Sequence, residues 1–556
     1  MVENQRFLQK SRIYRWIQIR AQQDAKGFAA QLQKMHWLPF QKAPDIGGKP
    51  WLHGVGSDQE NLLYLPQANR NGHTVVFGMT RVGKTRLMSI LVNQDIRNGE
   101  AVLVIDPKGD IELMKDMYSA CKVAGRLADF IILHAGLPEV SARYNPLSAY
   151  STISEVATRV TSAISAEGEG KTFRDFAWKF LNITATCLKE MGEPISYRSL
   201  AFFMLRPKQL LLSYCDKVLP SKDPNYISSV EKILSEGQDA KGGKGRKAEP
   251  MNRADAVRQY VGQLIEATLN EQGHTAFQDS IIPDLYHAAQ TSDDYYGKIT
   301  ASLGPVFDKI NRTAAGDIFS WQDGKGLPIL NLEELIAKKQ VVYIGLDSMS
   351  NRAMSEAVGQ ALIADLISLC GRLYKEGPDS QRSLCLHADE FSEIVRDEFV
   401  TLLNKAGGAG VKVTAYTQTV NDLGAVFGSN PHKSKMLLGN FGTMVMLRVA
   451  NLDTARVFTE CLELTRARSS VPNTSTQDKS HSGEGEFFTT SNSDNVSEDK
   501  TPLITENDVY ALPKGQAFIL TNGGELYKTR LPLPAHEEDS LSNAALMMSE
   551  VNLCYA

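Results

Sequence analysis

The 556 residues lack the marks of several protein classes, and each lack removes a reading. The seven cysteines (Cys121, Cys187, Cys215, Cys370, Cys385, Cys461 and Cys554) are an odd number, widely scattered, with no C-x-x-C pair. That excludes a disulfide-framed secreted module and a cysteine zinc site, and predicts reduced thiols in a cytosolic compartment. No window reaches the roughly 18 uninterrupted apolar residues that a spanning helix needs. The closest, Ala361 to Cys370, is short and interrupted by Asp365. The N-terminus has no apolar signal-peptide core, so the chain reads as one that does not itself span a membrane. It also lacks a strong charge of either sign: at a net −4, a polyanionic partner would be held by local basic patches rather than by an overall field. Internal repeats are absent. What is present is ordinary for a globular protein, 42% hydrophobic and 22% charged, long enough for two or three domains.

The most informative stretch is 73–110, HTVVFGMTRVGKTRLMSILVNQDIRNGEAVLVIDPKGD. Gly78, Gly83, Lys84 and Thr85 fit G-x-x-x-x-G-K-[ST], the phosphate loop. Before it runs the apolar, β-branched stretch Thr74 to Phe77. After it, Thr85 to Arg97 carries Leu87, Ile90 and Leu91 at helical spacing. Glycines let the backbone curl so that successive N–H groups face phosphate oxygens, and the following helix adds its positive dipole end. Gly78, Met79, Thr80, Arg81, Val82, Gly83, Lys84, Thr85 and Arg86 are therefore the candidate nucleotide-binding set. Lys84 is a point charge for the β- and γ-phosphates, and the Thr85 hydroxyl a ligand for Mg²⁺. The competing reading is a chance match in a glycine-containing turn, which the flanking strand and helix disfavour.

Along the chain, residues 1–49 are a basic, helical segment over 1–35, with interleaved Phe7, Ile13, Trp16, Ile17 and Phe28, and the start of a Pro/Gly-rich lead-in. The basic helix reads either as a membrane-surface segment or as a solvated helix on the protein body. Residues 50–150 continue past the phosphate loop to a strand ending in Asp106-Pro107-Lys108-Gly109 and a further strand, Phe130 to His134. Strands alternating with helices predict an α/β fold with a parallel sheet and a phosphate site at its carboxyl ends. Asp106 and Lys108 at such an end either poise water or phosphate, or close a tight turn with a salt bridge. Over 151–320 the apolar spacing turns helical throughout, predicting an inserted all-α domain; its Lys/Gly run at 241–247 reads as a mobile surface loop, or as a nucleic-acid or acidic-partner contact.

The α/β pattern resumes over 321–468. Leu384 to Ala388 is an apolar run ending in Asp389 and Glu390, which reads as a Walker B strand, or as a strand ending in acids where it meets solvent. In the first reading Asp389 supports Mg²⁺ and Glu390 polarises the attacking water. Val411 to Tyr416 then delivers Gln418, either a water-orienting, γ-phosphate-sensing group or a polar strand end. Residues 469–500 are Ser/Thr/Asn/Gly-rich and are expected to be a disordered insertion. Residues 501–535 are expected to close with a hairpin around Asn522-Gly523, and 536–556 to be a tail, frayed or partner-binding.

The phosphate loop, Asp-Pro-Lys-Gly at 106–109, Tyr144-Asn145-Pro146-Leu147, the helical insertion, Ala388-Asp389-Glu390-Phe391 and Gln418 occur in an order that resembles the type IV coupling proteins of conjugation, the TraD/TraG-like ATPases, closest to the TraD branch of integrative conjugative elements. The resemblance covers roughly residues 50 to 535. It implies a RecA-like P-loop nucleotide-binding domain interrupted by an all-α domain. It further implies ATP and Mg²⁺ as cofactors, and Lys84, Glu390 and Gln418 as catalytic residues with Thr85 and Asp389 at the metal. The implied partners are DNA, relaxase and relaxosome proteins, and components of a type IV secretion channel, with the chain assembled as a homo-hexamer on the cytoplasmic face of the bacterial inner membrane. Family members usually carry N-terminal transmembrane helices, which do not occur in these residues. Related motors often place an arginine finger between Walker B and the next strand; here Lys405-Ala406-Gly407-Gly408-Ala409-Gly410 has none, leaving Arg396, Lys405, Lys412, Arg448 or a group not identified from the sequence. Two other functions share these motifs: a nucleotide-gated substrate receptor without motor activity, and an FtsK-like DNA translocase outside secretion.

Overall fold

A computed structural model describes residues 70–162, 170–239, 251–270, 279–291, 303–312, 315–319, 326–376, 383–427, 431–478, 488–521, 524–532 and 544–555, with Leu63 and Gly297. The basic segment and lead-in at 1–49, the Lys/Gly run and the Asn522-Gly523 turn lie outside the described residues. The strands, in chain order, are β1 (Thr74–Phe77), β2 (Ala101–Asp106), β3 (Phe130–His134), β4 (Val341–Gly345), β5 (Leu384–Ala388), β6 (Val411–Thr417), β7 (Thr443–Leu447), β8 (Leu464–Asp478), β9 (Phe488–Pro502), β10 (Gln516–Leu520) and β11 (Leu526–Arg530). The chain divides into two units, Met1–Leu87 with Thr417–Ala535, and Met88–Tyr416 with His536–Ala556.

In the first unit β1 and β7 run parallel, Thr74 opposite Thr443 and Phe77 opposite Met446. β10 pairs antiparallel with both β7 and β11. Val75, Val76 and Phe77 are fully buried, which is why β1 is apolar at successive positions instead of alternating. Where 469–500 were expected to be disordered, the described residues instead form a long antiparallel ladder, β8 on β9, from Leu464 opposite Pro502 to Asp478 opposite Phe488. Cross-strand backbone pairing stands in for the aliphatic content it lacks.

The second unit holds five parallel strands in the order β6-β5-β2-β4-β3. Each is buried along its whole length, with no alternation of inside and outside. Between β3 and β4 lies the helical insertion, from Ser154–Thr161 to Ala315–Phe319. Its helices are locally specified: Ser196 and Ser199 form a reciprocal cap ahead of Tyr197–Met204, and Pro207 opens the next helix. The 536–556 stretch, expected as a tail, contains the helix Ala544–Tyr555. Met547, Met548 and Val551 of that helix are buried, and Asn552 Nδ2 donates to the Val140 carbonyl at 2.7 Å.

The Tyr-Asn-Pro-Leu motif is the seam between strands and insertion. Tyr144 Oη donates to Asp365 at 2.8 Å and Asn145 Nδ2 to the Ile195 carbonyl at 2.7 Å. Arg159, 1% exposed, donates to the Pro146 carbonyl at 2.7 Å and pairs with Asp365 at 3.1 Å. Asp365 belongs to Arg352–Glu376, which contains the single described stretch long and apolar enough to cross a membrane. That stretch is mostly buried and carries the ion pair in its middle, as a core helix does. Burial pushes the Asp365 carboxyl from 3.8 to about 6, against the opposing pull of Arg159 and the Tyr144 hydrogen bond. Because the folded value is the higher, the stability this group adds is complete at acid pH and lost as pH rises through about 6. Arg159→Leu strands the Asp365 carboxylate and is expected to cost ~3–5 kcal/mol at neutral pH, read from the urea midpoint. Replacing both by Leu should recover much of that loss.

Candidate functional site

In the first unit the phosphate loop is suspended from strand ends. The Gly78 N–H donates to the Thr417 carbonyl at 3.2 Å and the Met79 N–H to the Arg448 carbonyl at 3.0 Å, anchoring the exit of β1. The Val82 carbonyl accepts from the Gly515 N–H at 2.9 Å, so the segment before β10 braces the far side of the loop. A methyl group at Gly78 would lie 3.0 Å from Leu447 Cβ and 3.1 Å from Val82 Cγ2, so tight that those side chains would have to give way. Gly83 has φ +123°, closed to side-chain-bearing residues, and Arg81 adopts the left-handed region at φ 62°. The result is a curled loop leading directly into the helix Lys84–Arg97. Lys84 is buried, while Thr80, Arg81 and Thr85 are exposed around it. Burial lowers the pKa of the half-buried Arg86 guanidinium. Gln418, half-buried, follows the Thr417 that anchors Gly78, so the same unit brings Gly78–Arg86 and Gln418 to one set of strand ends.

The second unit holds the acidic group. Asp106, fully buried at the end of β2, accepts from the Lys108 N–H at 2.9 Å, the Asp110 N–H at 2.6 Å and the Tyr343 hydroxyl at 2.8 Å. That closes the Asp-Pro-Lys-Gly turn, with Gly109 left-handed at φ +73° and the Pro107 carbonyl accepting from Ser348 N–H at 2.7 Å. Burial, and then the Asp106 charge and hydrogen bond, push the Tyr343 hydroxyl far up, so it stays a donor. At the end of β5 the Asp389 N–H donates to the Ile105 carbonyl at 2.9 Å, and Glu390 stands in the left-handed region, φ 37°, ψ 50°. Lys108 Nζ forms an ion pair with Glu390 Oε1. Burial alone would lower the Lys108 ammonium, but the Glu390 hydrogen bond and charge, with Asp389 and Glu393, raise it above its ordinary value. Beneath, His387 bridges Asp95 at 2.9 Å and Tyr416 at 3.1 Å, with both His387 and Asp95 fully buried.

Asp106 and Lys108 were legible as a strand-end pair, and of the two open readings the turn-closing one describes Asp106. The salt bridge runs from Lys108 to Glu390, 282 positions away. Tyr343 and the His387–Asp95–Tyr416 group escaped sequence reading; their only signal was polar atoms inside otherwise apolar runs. Among the finger candidates, Lys412 lies within β6 at 3.4 Å from Glu100, and Arg396 Nη1 donates to the Val395 carbonyl at 2.6 Å. Among the described residues no group of three His, Cys, Asp or Glu could hold a metal. Mg²⁺ is usually held by one or two side chains plus phosphate oxygens, and the exposed Thr85 hydroxyl on the helix's first turn fits that arrangement.

A curled glycine loop between a buried strand and a helix, with parallel strands ending in acids, defines the P-loop nucleotide-binding class. Within that class, residues 383–514 match the family described as the TraM recognition site of TraD and TraG. The fold is that of the bacterial conjugative coupling protein TrwBdeltaN70 in its unbound form, at 15% identity and a TM-score of 0.52, over 86% of this chain and 88% of that one. The plasmid coupling protein TrwB in complex with ADP and Mg²⁺ gives 15% identity and 0.53, over 91% and 96%. Its complex with a non-hydrolysable ATP analogue gives 14% and 0.52, over 86% and 89%. No curated protein matches by sequence. The family match and the shared fold bear out the resemblance to TraD/TraG-like coupling proteins.

Asp106→Ala removes the acceptor of three donors and is expected to cost about 1–3 kcal/mol for each one left buried without a partner. Hydrogen exchange at Lys108 and Asp110 should quicken selectively, and unchanged exchange there would show that the turn is held by other contacts.

Proposed function

We propose that this chain is the ATP-hydrolysing coupling protein of a conjugation system. It recruits a relaxase–DNA complex and passes DNA into a type IV secretion channel, as a homo-hexamer on the cytoplasmic face of the inner membrane. The observation that carries the ATPase reading is the phosphate loop, with its left-handed Arg81 and Gly83, buried Lys84 and exposed Thr85. The match of residues 383–514 to a TraM recognition site supports a relaxosome partner, and the ADP- and Mg²⁺-bound state of TrwB supports ATP and Mg²⁺ here.

In this reading the loop N–H groups and Lys84 bind the β- and γ-phosphates. Thr85 and Asp389 would hold Mg²⁺, which neutralises phosphate charge when bound. Glu390 accepts a proton from the attacking water, orienting it with Gln418. The water oxygen bonds to the γ-phosphorus as the bond to the bridging oxygen breaks, releasing ADP and phosphate. No arginine stands in 405–410 to complete a neighbour's site, which favours as second reading a receptor whose nucleotide governs assembly.

Steady-state ATP turnover across protein concentration, with and without single- and double-stranded DNA, separates the two. A motor should accelerate with both, and a gated receptor should bind ATP and stay near zero throughout. Lys84→Ala should abolish turnover. Glu390→Gln should retain ATP binding with turnover lowered about 10²-fold or more, the range for removing a general base. Wild-type turnover by Glu390→Gln would refute its role.

A further inference from the structure

Glu390 sits in a backbone region that side-chain-bearing residues seldom occupy, at a strand end otherwise fixed by the Asp389 N–H bond to Ile105. Such a conformation persists where surrounding contacts impose it. Its carbonyl accepts from the Glu393 N–H at 2.8 Å, and its carboxylate meets the Lys108 ammonium, carried on the turn that Asp106 cages through the Lys108 and Asp110 N–H groups. The two ends of this pair differ in exposure: the Glu390 side chain is 9% accessible and that of Lys108 42%. The lysine, on its flexible stem, is therefore the end able to leave, while the carboxylate stays where the backbone holds it.

Resting on the reading of Glu390 as proton acceptor, we infer that Lys108 is a positioning residue that restrains Glu390 in the resting protein and must withdraw before hydrolysis. An ammonium bonded to Oε1 occupies the lone pair through which the carboxylate would engage the attacking water. Lys108 thus keeps the resting site quiet, and its departure couples an external event to turnover. A merely structural salt bridge would make a different demand: its loss would loosen the strand end and lower activity.

The test compares the full wild-type chain with Lys108→Met, Lys108→Arg and Glu390→Gln. In Lys108→Met, basal kcat should rise about three- to tenfold with KM for ATP within about twofold, a fraction of what proton-transfer catalysis commonly supplies. Further stimulation by DNA should shrink correspondingly. Lys108→Arg, which restores the charge and the hydrogen bond, should behave as wild type. Independently of activity, nucleotide-free hydrogen exchange over residues 388–396 should quicken about fivefold or more in Lys108→Met and stay unchanged in Lys108→Arg. Lys108→Gln repeats both measurements if the methionine variant fails to fold. A fall in kcat at constant KM, or exchange equal to wild type, overturns the restraint. Should Glu390→Gln hydrolyse ATP normally, the assignment of Glu390 fails by itself, and the exchange measurement still decides whether Lys108 holds the segment.

Discussion

A single buried carboxylate, Asp106, organises the acidic end of the parallel strands. With no exposure and three donors converging on it, it links the end of β2, the following turn and Tyr343 of β4. A desolvated charge is tolerated only with such partners, so the Asp-Pro-Lys-Gly turn has one acceptable shape. That shape presents Lys108 outward at the level of Glu390. The local sequence therefore determines the reach of a side chain whose partner lies far away in the chain.

The same economy governs the entry to the helical insertion. Arg159, Asp365 and Tyr144 are a buried polar group between a core helix and the first helix of the insertion, with the Pro146 carbonyl and Glu155 accepting further Arg159 donors. Pairs of this kind contribute little net stability against an apolar alternative, but they penalise every misregistered arrangement. An insertion more than 150 residues long, by the strand boundaries that flank it, is thus fixed at its base by position-specific contacts as well as by apolar packing.

Much of this was readable in the sequence because it is local. The phosphate loop advertises itself through two glycines, Gly78 where a side chain would crowd Leu447 and Val82 and Gly83 at φ +123°, and β2 and β5 through apolar runs ending in acids. The helical insertion shows in its 3.6-residue spacing. What stayed hidden depends on long-range pairing. β8 and β9 carry almost no aliphatic signal, and their order comes from each other across a ladder. Ala544–Tyr555 is too short to reveal as sequence which face Met547, Met548 and Val551 bury. Tyr343 reads as one more strand aromatic until Asp106 is placed beside it, and Lys108 has two plausible roles until Glu390 is.

The strand order also sets a timetable for synthesis. β2 has β4 and β5 as its neighbours, and neither exists until Val341 and Leu384 have been made. At a ribosomal rate of about 5–20 residues per second, the wait for β4 is roughly 12–50 seconds. For that time an apolar strand without its lateral partners is in the nascent chain, while the helices of the insertion, built on local contacts, can form behind it. The helical insertion is thus made inside an unfinished sheet, and β2 completes its pairing only when β4 and β5 arrive.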